Sequence, residues 1–177
     1  MTSPSLENLA LPIKTIEYSD DSVYFGQILG ESLKQGLGKF TFTNKGYYIG
    51  EWNNDEMSGY GSLMLESSIC IYEGFWKNSK FNGIGIFRNI YQNQQNIEDI
   101  DYRNFNDLGD KWIKYEGEFD EDLMNGKGKL EFVNGDVFIG NFERNKIEGK
   151  GIFLKKSNGE KMIRIWKENM MMEDEKT

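Results

Sequence analysis

Residues 115–130 read YEGEFDEDLMNGKGKL, with glycines spaced two apart among residues that are typical of β-strands. Alternate side chains of a strand share one face, so Tyr115 and Gly117 point the same way. Glycine weakens a strand because it loses backbone entropy and has no side chain to pack. An aromatic ring that lies across the bare backbone offsets this cost. The stretch therefore predicts a β-hairpin with ring-covered glycines and a polar spacer from Asp120 to Asn125.

The same pattern occurs five times along the chain. Each copy begins with an aromatic residue two positions before a glycine and continues to a Gly-x-Gly pair. The aromatic residue lies 11 residues before the first glycine of the pair in four copies and 12 in the first. Successive copies begin 24, 24, 43 and 23 residues apart, and an incomplete sixth copy begins at Met162. The predicted structural residues are Tyr24, Gly26, Gly36, Gly38, Tyr48, Gly50, Trp52, Gly59, Gly61, Tyr72, Gly74, Trp76, Gly83, Gly85, Tyr115, Gly117, Phe119, Gly126, Gly128, Phe138, Gly140, Phe142, Gly149, Gly151 and Trp166.

These repeats predict an all-β fold, an elongated and curled single antiparallel sheet built from tandem hairpins. Contacts in such an array are mostly between nearest neighbours, and we expect about eleven strands. The predicted organisation is an N-terminal arm at residues 1–22, the array at 23–166 with an insertion at about 89–114, and an acidic tail at 167–177.

Composition excludes several classes of function. The net charge of −8 argues against a nucleic-acid binder and against docking on anionic lipid. The chain has no histidine and one cysteine, Cys70, so the usual metal ligands and catalytic bases are missing. We predict a non-enzyme with no catalytic, cofactor-binding or metal-binding residues. No signal peptide is apparent, so we expect a cytoplasmic protein.

The face opposite the glycines differs among the copies. In the fourth copy it carries Glu116 and Glu118 opposite Lys127 and Lys129, which is typical of a solvated surface. In the first three copies it is apolar, and such a surface rarely stays open to water on a monomer. Either residues 6–16 fold back over it or a partner protein covers it. The candidate partner-binding residues are Phe25, Leu37, Ile49, Tyr60, Phe75, Ile84 and Ile86, together with Tyr91 and Trp112 of the insertion.

The insertion and the tail each allow two interpretations. The insertion is either a surface loop without a fixed role or an interaction loop anchored by Tyr91, Tyr102, Phe105 and Trp112. The tail is either a frayed end or a short helix that docks on a partner.

The repeat resembles the MORN repeat (membrane occupation and recognition nexus), whose consensus is roughly Tyr-x-Gly-x-Trp, a spacer and Gly-x-Gly. The resemblance extends from about Val23 to Trp166, with departures at the first spacer, at Ile28 and at the insertion.

The resemblance implies a non-catalytic scaffold that binds other proteins in a large ciliary (axonemal) assembly, radial spokes among them, or in a cytoskeletal one. Two alternatives stay open, a phospholipid- or membrane-tethering module and a non-catalytic subunit that regulates a separate enzyme.

Overall fold

The computed structural model describes residues 11–90 and 100–172, which form strands joined by turns and loops. All strands belong to one open antiparallel sheet in which each strand lies beside its sequence neighbours. The predicted all-β fold of tandem hairpins is therefore confirmed. The strands are β1 (Ile13–Glu17), β2 (Val23–Leu29), β3 (Leu33–Thr41), β4 (Tyr47–Asn53), β5 (Glu56–Met64), β6 (Cys70–Lys77), β7 (Lys80–Arg88), β8 (Trp112–Asp120), β9 (Leu123–Phe132), β10 (Val137–Glu143), β11 (Lys146–Leu154), β12 (Lys161–Lys167) and β13 (Met170–Met171).

The chain divides into two compact units, Met1–Asn82 and Gly83–Thr177, called here the N-terminal and C-terminal units. The expected number of about eleven strands was too low, because each end of the array has one additional strand. Strand β1 lies within the predicted N-terminal arm and pairs with β2 at the edge of the sheet. Strand β13 lies within the predicted tail and pairs with β12, so residues 170–171 form neither a helix nor a frayed end.

Tight turns close five of the hairpins, and both residues of each turn have positive φ, as a type I′ turn requires. In the C-terminal unit, Glu121 and Asp122 have φ of 47° and 70°. The predicted spacer from Asp120 to Asn125 was too long, since β8 continues through Asp120 and β9 begins at Leu123. The five turns are Asn54-Asp55, Asn78-Ser79, Glu121-Asp122, Arg144-Asn145 and Glu168-Asn169.

The two glycines of each Gly-x-Gly pair have different roles. The first one has positive φ, 59° at Gly59 and 107° at Gly126, and lies where the strand register shifts. At Gly59 and Gly126, a carboxylate from the neighbouring strand accepts a hydrogen bond from the next backbone N–H, and at Gly36 the side-chain amide oxygen of Gln27 takes this role. The Oε1 of Glu118 accepts from the Lys127 N–H at 3.0 Å, so Glu118 caps this bulge. The prediction that both glycines lie under a ring was wrong for the first glycine, because the bulge redirects it.

The second glycine lies under the ring that begins the repeat, as predicted, in the first, second, fourth and fifth pairs. A Cβ at Gly61 would overlap the ring of Tyr48, and one at Gly128 would overlap the ring of Tyr115. Both tyrosines are fully buried, and each hydroxyl donates to the backbone carbonyl three residues later. Tyr48 donates to Glu51 O at 2.9 Å, and Tyr115 donates to Glu118 O at 3.0 Å. The sheet face that carries these rings is called the packed face, and the opposite one the outer face.

Consecutive hairpins are joined at their tips by a reciprocal pair of hydrogen bonds. The Met124 N–H donates to Asn145 Oδ1 at 2.8 Å, and the Asn145 N–H donates to Met124 O at 2.9 Å. Asn169 makes the same pair with Ile147. In the N-terminal unit, Asp55 makes it with Lys34. In these hairpins the second residue of the turn therefore fixes the hairpin to the one before it.

The described part of the insertion that contains Phe105 packs against the packed face of the C-terminal unit. Phe105 is 2% exposed, and its ring lies 5.7 to 6.1 Å from the rings of Phe138, Phe153 and Trp166. It also stacks on Phe132 at 5.8 Å. Phe105 is thus part of the core, and its predicted role as an exposed anchor of an interaction loop was wrong.

Hydrogen bonds to backbone carbonyls of residues 102 and 103 also attach this part of the insertion to the last strands. The Trp166 indole N–H donates to Tyr102 O at 2.8 Å, and the Met171 N–H donates to Arg103 O at 2.8 Å. The equivalent indole of Trp52 instead donates to Gly38 O of the adjacent strand. The insertion therefore takes over a bond that the repeats otherwise make within the sheet.

Candidate protein-binding surface

An apolar cluster occupies the outer face of the N-terminal unit. Strands β2 to β6 supply its side chains, because every second residue of these strands points away from the packed tyrosines. Most of the cluster is exposed, as the sequence predicts: Phe25 by 57%, Leu37 by 48%, Ile49 by 50% and Tyr60 by 46%, whereas Phe75 is half-buried. These five residues are called the apolar outer cluster.

Contacts on the outer face hold part of this cluster in place. The rings of Tyr60 and Phe75 meet edge to face with centroids 5.6 Å apart. The Tyr60 hydroxyl donates to Glu73 Oε1 at 2.9 Å. Partial burial and this carboxylate together raise the pKa of the Tyr60 hydroxyl above its ordinary value. An aromatic pair with a fixed polar tip is a common feature of protein-binding sites.

The described part of the N-terminal arm does not lie over the apolar outer cluster. Residues 13–17 extend the sheet beside β2, with Thr15 opposite Phe25. This corrects the expectation that the segment up to Ile16 folds back over the face. Residues 6–10, the rest of that segment, lie outside the described residues.

The remaining candidate residues belong to the C-terminal unit. Ile84 is 66% exposed, and Ile86 on the same strand is half-buried. Trp112 begins β8 and lies 5.9 Å from the ring of Phe87, so it is partly packed. Tyr91 lies outside the described residues. The fourth repeat has the expected charged outer face, where Lys114 is 3.2 Å and Lys129 is 2.6 Å from Glu131.

Sequence reasoning missed a lysine on the packed face of the N-terminal unit. The Lys34 ammonium is 3.0 Å from Asp55 Oδ1 and lies 5.4 to 5.9 Å from the centroids of four aromatic rings. The equivalent position in other hairpins holds Met57, Phe81, Met124 or Ile147. Cation–π attraction and the carboxylate compensate for burying the charge. The four rings are those of Tyr18, Tyr24, Phe40 and Trp52.

The described residues have two features that bear on catalysis and metal binding. No group of three or more Cys, Asp or Glu side chains within them could hold a metal ion. Where a pKa shift is resolved, the pKa of a tyrosine is raised and that of a carboxyl is lowered, as at Tyr48 and Glu131, so these pKa values move away from neutral pH. A general acid or base works best with a pKa close to the working pH. Residues 11–90 and 100–172 also contain no helix of the length and apolarity needed to cross a membrane.

Comparison with known proteins identifies the repeat. The family model described as "MORN repeat" matches five segments, 31–47, 48–66, 72–88, 115–137 and 138–160. The chain belongs to the MORN-repeat family. MORN repeats are generally non-catalytic and act in protein interaction or membrane binding.

Two relatives share this MORN-repeat region. Alsin from Homo sapiens is 25% identical over 147 residues, which cover 75% of this chain and 9% of alsin. MORN repeat-containing protein 3 from Xenopus laevis is 34% identical over 68 residues, which cover 35% of this chain and 28% of that protein. The matched region therefore spans less than a third of either relative.

A solved structure, the TCP domain of SAS-4 (dCPAP) from Drosophila melanogaster in complex with a proline-rich motif of Ana2 (dSTIL), matches 94% of this chain and 96% of that one. Its sequence identity is 14% and its TM-score is 0.34.

Proposed function

We propose that this MORN-repeat protein is a non-catalytic scaffold that binds another protein through the apolar outer cluster. The observation that carries the proposal is the exposure of Phe25, Leu37, Ile49 and Tyr60 on one sheet face. Burying such side chains at an interface removes apolar surface from water, and aromatic side chains contribute most to the binding free energy. The assembly that we propose is ciliary or cytoskeletal, an expectation that rests on the MORN resemblance.

Binding at this face costs little conformational entropy. The backbone of β2 to β6 is held by hydrogen bonds to neighbouring strands on both sides, so docking does not need to order it. The Tyr60–Phe75 pair is already positioned by the bond to Glu73. A partner that presents a flat apolar surface therefore gains contact area without a large loss of conformational entropy.

The test is native co-purification from the source cells with the double variant Phe25→Asp, Ile49→Asp. Both side chains are exposed, so the variant should fold and show the wild-type circular dichroism spectrum while losing the proteins that wild type retains. The control variant Asn53→Asp, Ser67→Asp adds the same charge at exposed positions outside the cluster and should retain them. Equal recovery with wild type and the Phe25, Ile49 variant would refute the proposed surface.

The identity of the retained proteins tests the proposed assembly. Axonemal or cytoskeletal proteins that are lost only from the Phe25, Ile49 variant would support it. Recovery dominated by a soluble metabolic enzyme would favour a regulatory subunit instead. Salt-resistant binding to phosphatidylserine vesicles by wild type would favour the membrane function, against which the net charge of −8 argues.

A further inference from the structure

The outer face of the C-terminal unit differs from the apolar outer cluster because it carries lysines next to isoleucines. Along one row of the sheet, Lys129 lies opposite Ile139, Ile139 opposite Ile152, and Ile152 opposite Ile163. In the adjacent row, Lys127 lies opposite Asn141, and Lys150 lies opposite Ile165. A shallow depression of about 430 Å³ lies between these rows, lined by side chains that include Lys127, Lys129, Ile139 and Lys150. These residues form what is called here the lysine–isoleucine surface.

Two of the lysines on this surface, Lys127 and Lys150, differ from Lys129 in having no carboxylate partner within the described residues. Glu131 is already bound by Lys114 and Lys129. Glu118 accepts a backbone N–H bond from Lys127 rather than pairing with its ammonium group. Within the described part of the chain, neither Lys127 nor Lys150 forms an ion pair. Glu116 also lines the depression, and its carboxylate is 3.7 Å from the Lys114 ammonium group.

The apolar part of the surface is equally open. Ile139 is exposed, and so are Ile163 and Ile165 on β12. A solvated charged face would have polar residues at these places, as β8 has with its two glutamates. Exposed isoleucines beside Lys127 and Lys150, which form no ion pair within the described residues, suit a ligand with both apolar and acidic groups.

We propose that the lysine–isoleucine surface binds a protein segment in which acidic and aliphatic side chains alternate. An extended segment places alternate side chains on one side, so carboxylates can reach Lys127 and Lys150 while aliphatic groups cover Ile139 and Ile165. On a chain with a net charge of −8, the two lysines that lack a carboxylate partner attract an acidic segment to this place. This interaction is independent of the apolar outer cluster and of any partner bound there.

The experiment measures binding of a fluorescein-labelled peptide of alternating Glu and Leu to the full chain by fluorescence anisotropy. The proposal expects binding that weakens as ionic strength rises, because screening acts on exposed charges. A second peptide, with Gln in place of each Glu, should bind weaker by about tenfold or more. Equal affinity for the two peptides, or no binding of either, would overturn the proposal.

Matched variants locate the interaction. Lys127→Glu with Lys150→Glu should reduce affinity for the acidic peptide by about tenfold or more. Lys14→Glu with Lys77→Glu changes the net charge equally at exposed lysines of the other unit and should leave the affinity within about twofold of wild type. Equal weakening by both pairs would mean general electrostatic attraction and would refute the site.

Two further measurements test whether misfolding or membrane binding explains the result. If the Lys127, Lys150 pair of substitutions alters the circular dichroism spectrum, Lys127→Gln with Lys150→Gln replaces it and should also weaken binding. Cosedimentation with phosphatidylserine vesicles tests the membrane alternative. Vesicle binding that depends on Lys127 and Lys150, in the absence of peptide binding, would overturn the proposal.

Discussion

The ring of Tyr115 lies directly against the backbone of Gly128, so that a Cβ at residue 128 would overlap the ring. Tyr115 belongs to β8 and Gly128 to the adjacent β9, and their contact joins the two strands of one hairpin. Tyr48 and Gly61 repeat it in the N-terminal unit. Each glycine is therefore required by the ring above it, and each buried ring is possible because the glycine has no side chain.

This contact predicts that Gly128→Ala destabilises the protein because the added methyl group has no space. We expect a loss of about 3 kcal/mol in the free energy of unfolding, at the upper end for overpacking. Gly149→Ala is the matched control, because φ is +75° there but the nearest atom to a Cβ is 3.8 Å away. Its loss should be about 1–2 kcal/mol, from the left-handed backbone alone. Urea denaturation measures both values, and a larger loss at Gly149 would contradict the assigned role of the ring.

The buried tyrosines predict a loss of stability at alkaline pH. Burial raises the pKa of Tyr48 and Tyr115 above the ordinary value of about 10. The folded state therefore holds these protons more tightly than the unfolded state. Their contribution to stability is fully present below about pH 10 and is lost as the pH rises through the folded pKa.

Urea denaturation at a series of pH values, with tyrosinate absorbance recorded in parallel, tests this expectation. Some tyrosines should not ionise in the folded protein, and their hydroxyls should ionise only when the protein unfolds. Tyr48→Phe should make stability less sensitive to alkaline pH, whereas Tyr47→Phe, at the neighbouring position on the outer face, is the control. Ionisation of all nine tyrosines before any unfolding would contradict the expectation.

The paired hydrogen bonds between Met124 and Asn145 predict a graded series of substitutions. Asn145→Gly keeps the positive φ of 69° but removes the side-chain acceptor for the Met124 N–H. It should cost about 1 kcal/mol, the net value of one hydrogen bond. Asn145→Ala should cost about 2–3 kcal/mol because it also strains the backbone. Asn145→Asp keeps the acceptor and should stay close to wild type, so a loss as large as that of alanine would exclude the hydrogen bond as the cause.

The sequence was sufficient for the parts of the fold that repeat locally. Tyr48 and Gly50 are two residues apart, so strand alternation alone places them on one face, and the same alternation predicts the exposure of Phe25 and Ile49. The turn at Glu121 and Asp122 could not be found in this way because neither residue gives the usual Asn-Gly signal for positive φ. The bulge at Gly126 depends on a carboxylate from another strand, which spacing within one strand does not reveal.

The insertion was beyond sequence reasoning for a different reason. Phe105 contacts Trp166, which is 61 positions later in the chain, and no periodicity links the two residues. Its neighbours are mostly polar, as in an ordinary surface loop. A signal existed in the fifth repeat, where Phe138 replaces the tyrosine of earlier copies and its ring meets Phe105 at 5.7 Å. That substitution had no interpretation until the covering residue was known.

Phe105 predicts that the insertion stabilises the C-terminal unit. Phe105→Ala should lower the free energy of unfolding by about 3–5 kcal/mol, because it leaves a cavity among Phe132, Phe153 and Trp166. Asp107→Ala, at an exposed position two residues later, is the control and should change stability by less than about 0.5 kcal/mol.

Hydrogen exchange distinguishes local detachment of the insertion from a change in the whole unit. Because the Phe105 N–H donates to Asn169 O and the Met171 N–H donates to Arg103 O, Phe105→Ala should speed exchange first at Met171 and at the amides of 100–106. Exchange of the amides of β10, which is paired on both sides, should speed up only as far as the global stability falls. Unchanged exchange at Met171 together with unchanged stability would show that the insertion does not hold the end of the sheet, and the core role of Phe105 would then be wrong.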